Sequence, residues 1–112
     1  MKSDRVNLVD MLQAAQKIKS FLDGVSEAEF LNNPALIAAA SFELLAMGEA
    51  SKDLSDRTRR AIPGVPWADL RLVRNMVAHE HNVLNPRTLW RTLVNDIPHI
   101  AQTISDGIDN LR

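Results

Sequence analysis

Apolar residues recur every three or four positions along most of the chain, which is the spacing of one face of an α-helix. The first such stretch runs from about residue 4 to residue 23, with Ser3 or Asp4 as its N-cap and Gly24 as its stop signal. Strictly alternating patterns, which are typical of strands, are nearly absent. The pattern therefore predicts an all-α protein. The apolar positions of the first helical face are Leu8, Met11, Leu12, Ala15, Ile18 and Leu22.

Two further helix starts follow within ten residues. Ser26 forms a capping-box pattern with the glutamate three positions later, which predicts a short helical segment over residues 27–32. Asn33 followed by Pro34 combines an N-cap with a proline at the first helical position. A long helix is therefore expected to begin here, and its apolar pattern continues to about residue 55.

Proline and glycine divide the second half of the chain. Residues 56–66 end in two prolines and a glycine and are predicted to form the one real connection. A third main helix is expected over residues 67–82 and a fourth over residues 85–108, where Pro98 should kink or restart the helix. Four main helices with short connections and one short extra helix predict an antiparallel four-helix bundle, forming a single domain over residues 1–112.

Three residues have predicted roles in helix packing rather than in chemistry: Gly48, Trp67 and Trp90. Gly48 lies inside a predicted helix, where glycine costs about 1 kcal/mol relative to alanine. Either another helix or a partner approaches closely at Gly48, or the fold tolerates this cost. Trp67 and Trp90 are expected to pack in the protein interior, because two aromatic residues so far apart in sequence do not form an RNA-stacking surface.

Composition narrows the classes of function. The chain has no cysteine, which excludes disulfides and thiolate zinc sites. Without a signal-peptide pattern or a long apolar run, it is expected to be soluble and cytoplasmic, with no membrane partner. Residues 57–91 hold seven arginines against only Asp69 and Glu80, although the whole chain has a net charge of -1. Arginine suits phosphate, so this stretch permits an RNA partner, but solvated helix faces with salt bridges would show the same pattern.

Arg74, Asn75 and His79 form the candidate catalytic group on the predicted third helix. Asn75 and His79 share one helical face and Asn75 could orient His79 or bind phosphate, whereas Arg74 lies about 140° away from His79 around the axis. One helix alone therefore makes a poor active site, but two such helices meeting across a twofold axis would surround one cleft. An imidazole could move the proton of a ribose 2′-hydroxyl, and a guanidinium could stabilise charge on phosphorus.

His81 lies two residues after His79 and about 200° away from it on a helix, which disfavours a shared metal site. No metal or other cofactor is therefore expected. His81 is interpreted either as a helix-end residue or as an auxiliary base or phosphate contact. Arg71 and Arg87 lie on either side of the candidate catalytic group and are candidate substrate-binding residues.

Several motifs follow one another along the chain: Gly48-Glu49-Ala50, Pro63-Gly64-Val65-Pro66-Trp67, Arg74-Asn75 with His79, Trp90, and Asp96-Ile97-Pro98. Their order resembles the HepT-like toxin family of the HEPN superfamily, over about residues 5–104. This resemblance implies a homodimeric helical bundle in which Arg74 and His79 carry out metal-independent RNA cleavage. It also implies a small nucleotidyltransferase antitoxin as the partner.

The chain departs from the family at one position. The family motif continues from its histidine to a tyrosine that the antitoxin can modify with AMP, but here that position is His81 and the chain has no tyrosine. Either the antitoxin blocks the cleft, which we favour, or it modifies another group, or this member has lost regulation or activity. The expected function is an endoribonuclease toxin. The alternatives are a non-catalytic HEPN module that presents substrate to a nucleotidyltransferase, and an unrelated helical adaptor.

Overall fold

The computed structural model describes residues 2–79 and 85–111, with the main chain alone for His79. Every regular element in this part of the chain is helical, which confirms the all-α prediction. None of these helices is both long and apolar enough to cross a membrane. In chain order the elements are α1 (Asp4–Leu22), α2 (Glu27–Leu31), α3 (Pro34–Lys52), α4 (Asp56–Ala61), α5 (Trp67–His79), α6 (Pro86–Arg91), a π-helical turn (Thr92–Asp96) and α7 (Ile97–Ile108).

Side-chain caps begin the helices where the sequence predicts them. The Ser3 hydroxyl accepts a hydrogen bond from the main chain of α1 at 3.2 Å. The capping box of α2 is complete, because the Ser26 hydroxyl accepts from the Glu29 N–H at 3.1 Å and the Glu29 carboxylate accepts from the Ser26 N–H at 3.0 Å. The side-chain oxygen of Asn33 caps α3 by accepting from the N–H of Leu36 at 3.1 Å. Gly24, with φ of 74°, follows the end of α1, so both ends of this helix agree with the prediction.

Helix α3 packs against both α1 and α5, while α1 also packs against α7. The side chains between these helices are the predicted apolar ones, and Leu8, Met11 and Met47 are fully buried. The ring of Phe30 in α2 packs against the ring of Trp90, with centroids 5.2 Å apart. This contact confirms the predicted packing role of Trp90. The main neighbour of α5, on which the candidate catalytic group lies, is therefore α3.

Residues 56–66 are not simply a connection, because their first half is α4, and the prediction was wrong there. The Ser55 hydroxyl caps α4 by accepting from the N–H of Thr58 at 3.2 Å. The Asp4 carboxylate accepts from the hydroxyl of Ser55 at 2.5 Å and from that of Thr58 at 2.6 Å, and these bonds lower the pKa of Asp4. Helix α3 also ends at Lys52, earlier than predicted. Contacts with α1 stabilise α4, which has no apolar periodicity of its own.

Pro98 restarts the last helix, as predicted. The π-helical turn precedes α7, and the N–H of Ile97 there bonds to the carbonyl of Thr92, five residues back rather than four. Pro98 has no N–H and cannot continue the α-helical ladder to Val94. The predicted helix over residues 85–108 is therefore divided into α6, the π-helical turn and α7.

Candidate active site

The start of α5 is fixed by Trp67. Its indole N–H lies 3.0 Å from the carbonyl oxygen of Arg59 and 3.0 Å from that of Ile62, at the end of α4. The indole is partly buried against the protein core, which confirms its predicted packing role. Leu70, one turn later, is buried. These contacts hold α5 at a defined position beside α3.

Arg74 is held by side chains from two helices. Its Nε and its Nη2 each lie 2.5 Å from Oε1 of Glu49 on α3, while its Nη1 donates to Oδ1 of Asn75 at 2.8 Å. The Arg74 side chain is only 20% exposed. Hydrogen bonds between charged partners are stronger than neutral ones and define the geometry of both groups. The guanidinium is therefore oriented within a single chain.

Gly48 allows α3 and α5 to approach closely at Arg74. A Cβ atom built on Gly48 would overlap Cβ of Arg74 and would lie 2.9 Å from its Cγ and 3.3 Å from the carbonyl oxygen of Leu70. Of the two interpretations of Gly48, the structure supports close approach of another helix. The first two carbons of the arginine side chain occupy the space that a larger residue at position 48 would need.

Asn75 is exposed and its side-chain oxygen faces Arg74. The two roles predicted for Asn75, orienting His79 or binding phosphate, remain predictions, and its described hydrogen-bond partner is Arg74. Because Oδ1 accepts from Arg74, the amide nitrogen is the part of this side chain that can donate to another group. Arg74 and Asn75 thus form one hydrogen-bonded unit with Glu49.

His79 is the last residue of α5, five residues after Arg74 and therefore about 7.5 Å further along the helix axis. The structure describes only the main chain of His79, so a contact between the His79 side chain and Arg74 remains a prediction. His81 and residues 82–84 lie outside the described residues, and the interpretations of His81 also remain predictions.

The two candidate substrate-binding arginines lie on different helices. Arg71 is exposed on α5, one turn before Arg74, while Arg87 is exposed in the first turn of α6. The Arg59 side chain donates to Asp56 and is the main cause of the lowered pKa of that carboxyl, to which Arg71 adds a smaller effect. Arg71 therefore lies near α4, and no described hydrogen bond joins Arg87 to Arg74.

Glu49 is a site residue that chemical reasoning from the sequence missed. In the sequence, Glu49 attracts attention only as part of the Gly48-Glu49-Ala50 motif, 25 residues before Arg74. The available signal was the placement of an acidic residue directly after an unexplained helix-interior glycine. That signal did not identify the partner, because the pairing depends on how α3 packs against α5.

Comparison with known protein families identifies the family of this chain. The family model described as "Ribonuclease HepT-like" matches residues 11–106, nearly the whole chain. The chain belongs to the HepT-like ribonuclease family. The resemblance inferred from the motifs is thereby confirmed. Family membership supports a ribonuclease function.

Relatives of similar length agree with this assignment. A protein of Caldanaerobacter subterraneus subsp. tengcongensis named as a "Putative RNase" is 29% identical over 95% of both chains. A "Probable ribonuclease HepT" of Thermococcus cleftensis is 28% identical over 88% of this chain and 90% of its own. A "Putative RNase" of Methanocaldococcus jannaschii is 30% identical over 94% of this chain and 87% of its own. No solved structure matches the chain significantly.

Proposed function

We propose that this HepT-like protein is a metal-independent endoribonuclease toxin that acts as a homodimer, with Arg74, Asn75 and His79 at a cleft between two chains. The observation that carries the proposal is the guanidinium of Arg74, which Glu49 and Asn75 orient on the helix that also carries His79. Membership of a ribonuclease family supports RNA as the substrate.

The proposed reaction needs one proton-transferring group and one fixed positive charge. The ribose 2′-oxygen loses its proton and attacks the adjacent phosphorus, while the bond from phosphorus to the 5′-oxygen breaks and that oxygen gains a proton. His79 acts as the base or as the acid, since imidazole titrates near neutral pH, and solvent water makes the other proton transfer. Arg74 stabilises the negative charge that develops on the phosphorane oxygens. The products are a 2′,3′-cyclic phosphate and a 5′-hydroxyl.

The exposed face of α5 supports assembly with a second copy at this site. Leu72 is 58% exposed although it is a large apolar residue. It precedes His79 by seven residues, so the two positions lie about 20° apart on the same helical face. The half-buried Met76 lies between them on that face. A second chain covering Leu72 would bring its own α5 beside His79, as the two-chain cleft requires.

This dimer is tested by replacing Leu72 with glutamate. We expect the variant to be monomeric by light scattering and to lose RNA cleavage, because a buried unpaired carboxylate opposes association. Val6→Glu is the matched control, since Val6 is a 44% exposed apolar residue on α1. That control should remain dimeric and active. A Leu72→Glu protein that dimerises normally would contradict the assignment of this face.

The reaction is tested with short RNA substrates in the presence of EDTA. We expect cleavage to persist and to leave 2′,3′-cyclic phosphate ends, identified by mass spectrometry. Replacing the 2′-hydroxyl with hydrogen at one cleavage position should abolish that cut alone, because the attacking oxygen is missing. His79→Ala protein purified in the same way is the control for contaminating ribonucleases.

Two results would contradict this mechanism. Inhibition by EDTA, or 3′-hydroxyl and 5′-phosphate ends, would indicate metal-dependent hydrolysis by water. A folded dimer that cleaves none of several RNA classes would instead support the non-catalytic HEPN module.

A nucleotidyltransferase-type antitoxin is part of the proposal. The chain contains no tyrosine, so a partner cannot neutralise it by transferring AMP to a tyrosine hydroxyl. We propose that the antitoxin binds over the cleft and blocks access of RNA. Arg71, an exposed basic residue of α5, is a suitable contact for such a partner as well as for RNA.

A further inference from the structure

Glu49 contacts the candidate catalytic arginine more closely than it contacts any other described cation. Its Oε1 lies 2.5 Å from both Nε and Nη2 of Arg74, whereas its Oε2 lies 3.9 Å from Nζ of Lys52. The glutamate side chain is 43% exposed, while that of Arg74 is 20% exposed. A surface glutamate that only needed a counterion could pair with Lys52, so the choice of Arg74 requires an explanation.

The contacts divide the donors of the guanidinium into two groups. A guanidinium has five N–H donors; here Nε donates to Glu49, Nη1 donates to Asn75, and Nη2 lies 2.5 Å from the same glutamate oxygen. The donors that these contacts leave can meet phosphate oxygens, which a planar guanidinium binds through a pair of donors. Gly48 meanwhile fixes the base of the same side chain, because Cβ and Cγ of Arg74 lie where a Cβ at position 48 would be.

We propose that Glu49 is a positioning residue for RNA cleavage, acting through Arg74. With Gly48 it forms a slot on α3 that holds the guanidinium in one orientation, so that its remaining donors meet the phosphorane oxygens. This inference rests on the proposed function of Arg74. A pre-oriented donor pair needs no rearrangement when charge develops in the transition state, and this is the property that makes such donors effective.

Two other roles for Glu49 make different predictions. If Glu49 acted as a brake that neutralises Arg74, its removal would increase the cleavage rate. If the pair only stabilised the fold, its removal would lower the melting temperature and leave the rate constants of the folded protein unchanged. Positioning instead predicts a loss of kcat in a protein that remains folded.

The first test compares Glu49→Gln and Glu49→Ala with the wild-type protein in steady-state RNA cleavage. We expect kcat to fall about 10- to 100-fold in Glu49→Ala, the order of effect that a small misplacement of a catalytic group produces. KM should change far less than kcat. Glu49→Gln, which keeps one oxygen acceptor, should retain an intermediate kcat. Lys52→Gln is the control and should behave as the wild type, because it removes only the distant contact of Glu49.

The second test asks whether Glu49 can position a guanidinium that is not attached to the chain. Guanidinium chloride at millimolar concentrations, far below denaturing levels, is added to Arg74→Ala protein. We expect partial, saturable recovery of cleavage in Arg74→Ala and none in the double variant Arg74→Ala with Glu49→Ala. Recovery that is equal in both proteins, or absent from both, would overturn the proposal.

A third measurement does not depend on cleavage. In ¹⁵N-edited NMR spectra, the Nε–H signal of Arg74 should exchange slowly with water in the wild type and rapidly in Glu49→Ala, with the Arg74→Ala spectrum giving the assignment. Unchanged exchange in Glu49→Ala would overturn the proposal whatever the cleavage assays show.

The outcomes separate this inference from the proposed function. If Arg74→Ala cleaves RNA as fast as the wild type, the catalytic assignment of Arg74 fails. If Arg74→Ala is inactive while Glu49→Gln has the kcat of the wild type or a higher one, only the positioning role of Glu49 fails.

Discussion

Replacing Arg74 with alanine should lower the rate of RNA cleavage by about 100- to 1,000-fold, the usual effect of removing one transition-state hydrogen-bond donor. The loss should fall mainly on kcat, because the charge that Arg74 stabilises develops only as the 2′-oxygen attacks. The guanidinium is already oriented by Glu49 and Asn75 before substrate binds. Single-turnover cleavage of a labelled RNA measures this effect directly.

Two further variants sharpen this test. Arg74→Lys keeps the charge, but one ammonium nitrogen cannot contact Glu49, Asn75 and a phosphate with the geometry of a guanidinium, so only part of the activity should return. Arg5→Ala removes an exposed arginine from α1 and should leave cleavage unchanged. Full activity in Arg74→Lys would show that charge alone is required and that orientation is unimportant.

Replacing Gly48 with alanine should reduce both stability and activity, although alanine is the better helix former. The gain in helix propensity is about 1 kcal/mol. The added methyl group, however, would overlap Cβ of Arg74, which is close to the main chain and cannot rotate away. Overpacking of this kind typically costs about 1–3 kcal/mol, because the two helices must separate. We expect a net loss of up to about 2 kcal/mol and a melting temperature lower by several degrees.

The effect of Gly48→Ala on cleavage should exceed its effect on stability. Movement of Arg74 by about 1 Å can reduce a rate 100-fold, so kcat should fall even at temperatures where the protein is fully folded. Gly107→Ala is the matched control, because the new methyl group there would lie 2.9–3.0 Å from carbons of the buried Ile62 and would overpack the core without touching Arg74. The proposal requires Gly48→Ala to lose far more activity than Gly107→Ala, and equal activities would contradict it.

Much of the fold was predictable because the information lies in short stretches of sequence. The start of α2 depends on Ser26 and Glu29, three residues apart, and the restart of the last helix depends on Pro98. Helix α4 was not predictable in this way. It contains three arginines and one aspartate and has no apolar face, and its cap is completed by Asp4, 51 residues before Ser55.

The same difference between local and long-range contacts decides how much of the candidate site was predictable. Arg74 and Asn75 could be proposed from the sequence because they are adjacent on one helix, and their hydrogen bond is a local contact. His79 and His81 stay predictions. Glu49 could not be assigned, since its pairing with Arg74 joins two helices and no pattern within either helix specifies the partner.

The sequence by itself determined that this protein is helical, where most of its helices begin, and which helix carries the arginine and the histidine. Periodicity, caps and proline act within a few residues, so these properties can be read along the chain. Only the tertiary structure decided which carboxylate meets Arg74, why Gly48 is needed, and how an arginine-rich segment becomes α4. Those outcomes depend on the packing of helices distant in sequence, where the absence of one side chain allows another to occupy its place.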